Sequence, residues 1–252
     1  TDVFKKYSAE EMEHFKQTHL PPGEEKFTVF WNNRNARRKQ SGSLIFWFKK
    51  FLDKIEHDKA RLIMHTDPKD QHGQDLEAII EFLDITNGEV MFSKNKLPPQ
   101  ELAKIYNLAD CTINISDAEG FGLATFESLA CETPIIVTMT GGLQEQVTDG
   151  ETWFGIGLEP TSKAIIGSQP IPYIYEDRLS EKTVVGAFLE MYNMSKDQRA
   201  SLGALGRDHV TKNYSFKNFI NMWDKTLTEV HKKHGSWDTR TGYKSWTLEE
   251  VL

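Results

Sequence analysis

The sequence predicts an α/β fold built on a doubly wound parallel sheet. Two observations carry this. Short runs rich in β-branched and aromatic residues alternate with stretches of helical period along the first 150 residues. Those short runs are apolar throughout, as strands covered on both faces are, and do not alternate apolar with polar.

The first run, KFTVFWN (26–32), is the opening strand, and SLIFWFKKFLDKI (43–55) follows with a helical apolar stripe. RLIMHT (61–66) is the second strand and DLEAIIEFLDI (75–85) the second helix. EVMFS (89–93) precedes PPQELAKIYNLA (98–109), where Pro98 and Pro99 suit a helix start. CTINIS (111–116) precedes LATFESLACE (123–132), and PIIVT (134–138) precedes GLQEQVT (142–148). Residues 154–176 are rich in Gly and Pro and show no period, so they read as a long ordered loop with at most one short strand. Helices return at 181–195, 196–213 and 216–234. Phe46, Trp47 and Phe48 read as core. Trp223, Trp237 and Trp246 read as packing between domains or along the tail.

Bulk composition limits the function classes. The chain of 252 residues is 38% hydrophobic and 27% charged, which is ordinary for a soluble globular protein. A net charge of −7 argues against a nucleic-acid backbone binder. No apolar run approaches the ~18 residues of a membrane span, and TDVFKKYSAEE lacks the apolar stretch of a signal peptide. Cys111 and Cys131 both sit in apolar surroundings and read as reduced core residues. A cytoplasmic protein is expected. His65 and His72 match no standard metal-ligand spacing.

In a parallel doubly wound sheet, ligands bind outside the carboxyl ends of the strands. Three loops there carry chemistry. NNRNARRKQSG (32–42) holds Arg34, Arg37, Arg38 and Lys39 before a helix that Ser41 is placed to cap, an arrangement suited to an anion. A solvated basic turn is the bland alternative. SDAEGFGLATFE (116–127) sets Glu119 and Glu127 around Gly120, Phe121, Gly122 and Leu123. Its glycines permit close approach to the backbone, and free N–H groups at a helix start bind hydroxyl or phosphate oxygens. An ordinary turn acid and a helix acid are the bland readings of the two glutamates. TMTGGLQEQVTDG (138–150) places Gly141 and Gly142 at another strand-to-helix turn, again a place for close backbone approach and expected to help bind the ligand. No P-loop, dinucleotide fingerprint or Gly-x-Ser-x-Gly elbow is present.

Together these stretches resemble the C-terminal, donor-binding half of a family-four retaining glycosyltransferase, which has the two-domain, Rossmann-like B-type fold. The resemblance covers residues 1–150 and 180–234. NRNARRK is similar to the family's Arg-then-Lys diphosphate motif, with Arg34 and Lys39 five apart. The most specific block is LAKIYNLADCTINISDAEGFGLATFESLACETPIIVTMTGGLQEQVTDG, in which Glu119 and Glu127 fit a Glu-seven-residues-Glu motif. The resemblance implies that Glu119 meets donor-sugar hydroxyls and that the backbone of Gly120, Phe121, Gly122 and Leu123 holds sugar and phosphates. It implies that Glu127 takes the ribose hydroxyls, and that Arg34 and Lys39 neutralise the diphosphate leaving group without a metal. Asn32, Asn33, Gln40 and the length of 154–176 depart from the family pattern.

The resemblance also implies a domain plan. Residues 1–215 are expected to bind a UDP, GDP or ADP sugar. Residues 216–252 are expected to supply a helix and tail that pack on an N-terminal acceptor domain lying outside this chain. That domain would bring a carbohydrate, lipid or protein acceptor and would mediate any peripheral membrane contact. The rival readings are a non-catalytic nucleotide-sugar binding module that needs a partner chain, a sugar-nucleotide epimerase, which lacks the Glu119/Glu127 block, and a nicotinamide dehydrogenase, which needs the missing fingerprint.

Overall fold

A computed structural model describes residues 2–21, 25–236, 238–240 and 242. The expectations for Trp237 and Trp246 lie outside them. The chain divides into two units, residues 1–210 and 211–252.

The first unit is built on a six-stranded parallel sheet in the order β3-β2-β1-β4-β5-β6. Its strands are β1 (Phe27–Asn32), β2 (Ala60–His65), β3 (Val90–Ser93), β4 (Cys111–Asn114), β5 (Ile135–Thr138) and β6 (Gly155–Leu158). The helices are α1 (Ala9–His19), α2 (Ser41–Ile55), α3 (Leu76–Phe82), α4 (Pro99–Leu108), α5 (Leu123–Ala130), α6 (Leu143–Val147) and α7 (Glu181–Asn193). α8 (Lys196–Asn213) begins in this unit and ends in the second, which also holds α9 (Phe216–His234). This is the expected doubly wound Rossmann-like fold. The order reverses between β1 and β4, so the crevice of the fold opens at the carboxyl ends of those two strands.

Strand side chains alternate between two covered faces. Val29, Trp31, Leu62, Met64, Cys111 and Ile113 pack with α2 and α7 residues, whereas Phe30 and Ile63 pack with Met12 and Phe15 of α1 and Tyr106 of α4. The rings of Phe48, Phe51 and Phe188 lie 5.3–5.7 Å apart by centroid. Burying each such ring contributes roughly 1.5–3 kcal/mol. Cys111 and Cys131 are both buried and free, as expected.

Several expectations need correction. Residues 154–176 are not a loop. They hold β6 and a separate antiparallel hairpin, β7 (Ser162–Ser168) and β8 (Ile171–Arg178). The glycines of GIGL hide β6, yet Gly155 runs so close to Ile135 that a Cβ there would strike the neighbouring strand's carbonyl oxygen. Pro170 and Pro172 hide the hairpin, but a two-stranded ribbon has free edges where proline is tolerated. Helix α1 was not anticipated, although Ser8 and Glu11 form a reciprocal capping box. Phe46 is exposed, because Leu44, Ile45, Phe48 and Phe51 take the inner face of α2. Ser41 does not cap α2; it is the first helical residue, and Gln40 in the left-handed region (φ 55°) precedes it. Pro98 and Pro99 do start α4. Among the described residues no helix is long and apolar enough to cross a membrane.

Candidate functional site

The carboxyl ends of β1 and β4 carry two of the three loops singled out in the sequence. After β1 the chain passes through a 3-10 turn at Arg37–Lys39 and enters α2. Asn35 anchors this turn from a fully buried position: its Nδ2 donates to the Gln74 carbonyl at 2.7 Å, and its Oδ1 accepts from Ser41 Oγ at 2.5 Å. The turn is also joined to the β4 loop, since Asp117 N donates to the Arg38 carbonyl at 2.8 Å.

Each cation of the turn meets a defined acceptor. Lys39 is 7% exposed, and its Nζ donates to the Glu119 carboxylate. Arg38 Nη1 donates to the Ala118 carbonyl at 2.6 Å and lies 3.8 Å from Glu119. Arg37 makes a bidentate pair with Glu176 of β8 at 2.6 and 2.9 Å. Arg34 makes a bidentate pair with Asp70, in the loop after β2, at 2.6 and 3.1 Å. Thus Lys39 and Glu119, eighty positions apart, are brought into contact, while the exposed Arg34 guanidinium rests on Asp70.

Electrostatics follow from these pairs. Burial disfavours the Glu119 carboxylate, but hydrogen bonding and charge from Lys39 outweigh it and hold its pKa below the ordinary glutamate value. Burial pushes the Lys39 ammonium down, against the pull of Glu119. The Arg34 hydrogen bond lowers the Asp70 carboxyl. The four cations and their acceptors form a charge-dense, largely satisfied patch in which incoming anionic oxygens would compete with carboxylates.

The glycines serve two purposes. Gly122, with φ 89°, turns the chain into α5, and no side chain caps that helix start. Open space lies where a Gly120 side chain would project, and Phe121 and Leu123 are exposed beside it. This turn can therefore receive a ligand against its backbone. Gly141 and Gly142 are different. Gly142 N donates to the Gly120 carbonyl at 3.1 Å, and a Cβ on Gly142 would sit 2.6 Å from that oxygen. A Cβ on Gly141, at φ 49°, would collide with the Glu119 carbonyl. The loop after β5 thus buttresses the 119–122 turn backbone to backbone.

Glu127 lies in α5, partly buried, and its Oε2 accepts from Tyr106 Oη at 2.9 Å. Burial raises its pKa, and the tyrosine hydrogen bond partly opposes that. The two glutamates of the motif therefore face different partners: Glu119 the β1 turn, Glu127 helix α4.

Residues given no role from sequence complete the site. Buried Gln146 donates to the Phe121 carbonyl at 2.6 Å and accepts from Thr125 Oγ1 at 2.7 Å, fixing the start of α5. Asp117, 3% exposed, takes Gln40 Nε2 at 2.7 Å and pairs with Arg178 of the hairpin. Tyr106 and Asn32 stand behind Glu127. Only contact across long stretches of chain reveals these roles, and no local motif marks them. His65 binds Ser93 Oγ at 2.9 Å, and among the described residues no group of three or more His, Cys, Asp and Glu is placed to hold a metal. A cavity of about 890 Å³ lies at the opposite, amino-terminal ends of the central strands, by Thr28, Arg61 and Asp110, away from this chemistry.

Residues 11–166 match the family model described as Glycosyl transferases group 1. Among curated relatives, the chain is 42% identical over 77 residues to D-inositol 3-phosphate glycosyltransferase of Corynebacterium urealyticum, covering 31% of this chain and 18% of the relative. It is 45% identical over 56 residues to the same-named protein of Acidothermus cellulolyticus, covering 22% of this chain and 12% of that one. The fold is similar to sucrose-phosphate synthase from Thermosynechococcus elongatus, with TM-score 0.66 and 21% identity over 90% of this chain and 50% of that one. It is also similar to Anabaena Alr3699/HepE in complex with UDP and glucose, with TM-score 0.66 and 15% identity over 89% of this chain and 54% of that one. The C-terminal domain of the group 1 protein LpcC from Francisella tularensis gives TM-score 0.60 and 18% identity over 85% of this chain and 97% of that domain. The chain thus spans about half of the first two solved proteins and matches less than a fifth of those curated relatives.

Proposed function

The chain belongs to the group 1 glycosyl transferases, and from that premise we propose that it is the donor-binding half of a retaining transferase that moves a sugar from a nucleotide diphosphate to an acceptor hydroxyl. The observation that carries the proposal is the pairing of buried Lys39 with half-buried Glu119 at the β1/β4 switch point, beside the uncapped start of α5. A nucleotide sugar presents two kinds of group there. Its phosphate oxygens need cations and N–H donors, and its hydroxyls need carboxylates.

In this reading Lys39, Arg34 and the first N–H groups of α5 bind the diphosphate. Glu119 accepts hydrogen bonds from the sugar, and Glu127 accepts them from the ribose. Arg34 exchanges Asp70 for phosphate, an exchange made easy by the exposure of that pair. Breaking the anomeric C–O bond leaves its electron pair on the diphosphate. Fixed cations stabilise that charge more in the transition state than in the ground state, which is the part of binding that accelerates transfer. Cations in that place do the work a divalent metal would otherwise do, so we propose a metal-independent reaction. Retention of anomeric configuration is proposed from the family resemblance and is read by NMR of the product formed when the acceptor domain is supplied.

The acceptor belongs, in this proposal, to a second domain, and the exposed stripe Phe216, Phe219, Trp223, Leu227 and Val230 of α9 is the surface offered to it. A cytoplasmic site of action fits the buried free cysteines. UDP is the first donor nucleotide to try, since a similar fold carries it in Anabaena Alr3699/HepE. A thermal-shift panel of UDP, GDP, ADP and their sugars tests the reading. One nucleotide at 100 times its Kd should add about 2.7 kcal/mol of stability. No shift from any of them would remove the donor-site assignment.

A further inference from the structure

Glu127 is half of the motif, and its surroundings specify more than the motif does. The hydroxyl of Tyr106, on α4, donates to Glu127 Oε2 at 2.9 Å. The same hydroxyl oxygen accepts from Asn32 Nδ2, at the last residue of β1, at 2.8 Å. A phenol has one proton to give. With the Asn32 amide already donating to its oxygen, that proton is directed at Glu127. Tyr106 itself cannot swing: it is fully buried, its ring lies 4.9 Å edge-on to Phe30, and Thr133 Oγ1 holds its carbonyl at 2.7 Å. The three residues come from β1, α4 and α5, so the arrangement spans the switch point where the fold binds ligands.

We propose that Tyr106, oriented by Asn32, is a positioning residue that fixes the Glu127 carboxylate for the two ribose hydroxyls of a bound nucleotide, an inference that rests on the donor-site reading above. Holding Oε2 from behind restricts rotation of the carboxylate and leaves Oε1 and the second lone pair of Oε2 to accept from the ribose. A carboxylate locked this way loses less freedom when the ligand arrives. The tyrosine hydrogen bond also favours the ionised form of Glu127, partly opposing the burial that raises its pKa. The groups that titrate beside it are Tyr106, raised well above its ordinary value by burial, and Cys131, raised by burial to about 12. Both are neutral near pH 7, so any acid limb in nucleotide affinity that moves with Tyr106 belongs to Glu127. Asn32, which departs from the family pattern at the phosphate loop, thereby acquires a role on the ribose side.

The test is calorimetry on the 252-residue chain, using whichever of UDP, GDP and ADP binds most tightly together with its 2′,3′-dideoxy counterpart. Tyr106→Phe keeps the ring and removes the donor. It should weaken the ribonucleotide about 3–10-fold at pH 7, lose more as the pH falls towards 5, and leave the dideoxy compound unchanged. Asn32→Ala, which leaves the Tyr106 side chain itself unchanged, should shift the ribonucleotide in the same direction by about 2–3-fold, and it serves alone if Tyr106→Phe does not fold. Adding Tyr106→Phe to Glu127→Ala should cost nothing further. Equal losses for the ribo and dideoxy ligands would make Tyr106 a packing residue and overturn the inference. A ribose-selective loss in Glu127→Ala with none in Tyr106→Phe or Asn32→Ala would overturn it too, while the donor-site reading survives. Glu127→Ala without any loss, or no nucleotide bound at all, would overturn both.

Discussion

Replacing Lys39 by methionine should expose what the buried pair contributes. Methionine keeps the aliphatic stem and removes the charge. Lys39 and Glu119 side chains are 9% and 12% exposed, so the carboxylate left behind cannot fully rehydrate. Removing one partner of a buried pair costs about 3–5 kcal/mol. Arg38, 3.8 Å from the same carboxylate, remains and reduces the loss to about 2–3 kcal/mol. The loss should depend on pH, with a definite sign. In the native protein the Glu119 pKa is lowered, so its contribution is present above the unfolded value of about 4.3 and is lost as the pH falls through the lower folded value. In Lys39→Met burial is opposed only by Arg38 and Asn114, so the folded pKa should rise above the unfolded one, and stability is then lost as the pH increases through that window. The deficit should therefore be small at pH 4 and full at pH 7. Urea unfolding at both values measures it. A deficit below about 1 kcal/mol, or one equal at both pH values, would refute the account of Glu119 as a half-buried carboxylate held by Lys39.

Gly141→Ala should lower stability by about 2 kcal/mol or more, because a Cβ there meets the Glu119 carbonyl and φ is 49°; a denaturation midpoint like that of the parent would remove the proposed buttress. Asp70→Asn frees the Arg34 guanidinium and should tighten nucleoside diphosphate binding by up to about fivefold, as exposed pairs are worth ~1 kcal/mol or less; weaker binding would show that Asp70 positions Arg34 instead of competing for it. The 252-residue chain alone should bind donor and transfer no sugar, since reaction needs the acceptor oxygen held about 3–3.5 Å from the anomeric carbon with water excluded; a labelled-donor assay that shows sugar moved to an acceptor by the chain alone would place the acceptor site within these residues.

Much of the fold could be read from sequence because fully buried parallel strands are written as unbroken apolar runs. VFW in β1 and IIV in β5 are such runs. β6 escaped because its glycines are demanded by close strand approach, so the residues that permit the strand are those that weaken its signal. The β7–β8 hairpin escaped because prolines suggested a loop where a free ribbon edge tolerates them. The candidate site was legible at the level of the loops brought together at the β1/β4 switch point. Its pairings were not: nothing local in NRNARRK says that Lys39 meets Glu119 while Arg34 meets Asp70 and Arg37 meets Glu176. Gly141 and Gly142 were read as room for close backbone approach at a strand-to-helix turn, and the approaching backbone is that of the 119–122 turn.

The central claim is that Arg34 and Lys39 hold a nucleotide's diphosphate at the β1/β4 switch point. Isothermal titration of the chain with UDP, GDP and ADP tests it directly, with Arg34→Ala and Lys39→Met titrated beside it at a pH and temperature where each is shown to be folded. One nucleotide should bind the native chain, and each substitution should weaken it by about tenfold or more, the loss of one charge-assisted hydrogen bond. A nucleotide that binds both variants as tightly as the native chain, or a native chain that binds none at millimolar concentration, would contradict it.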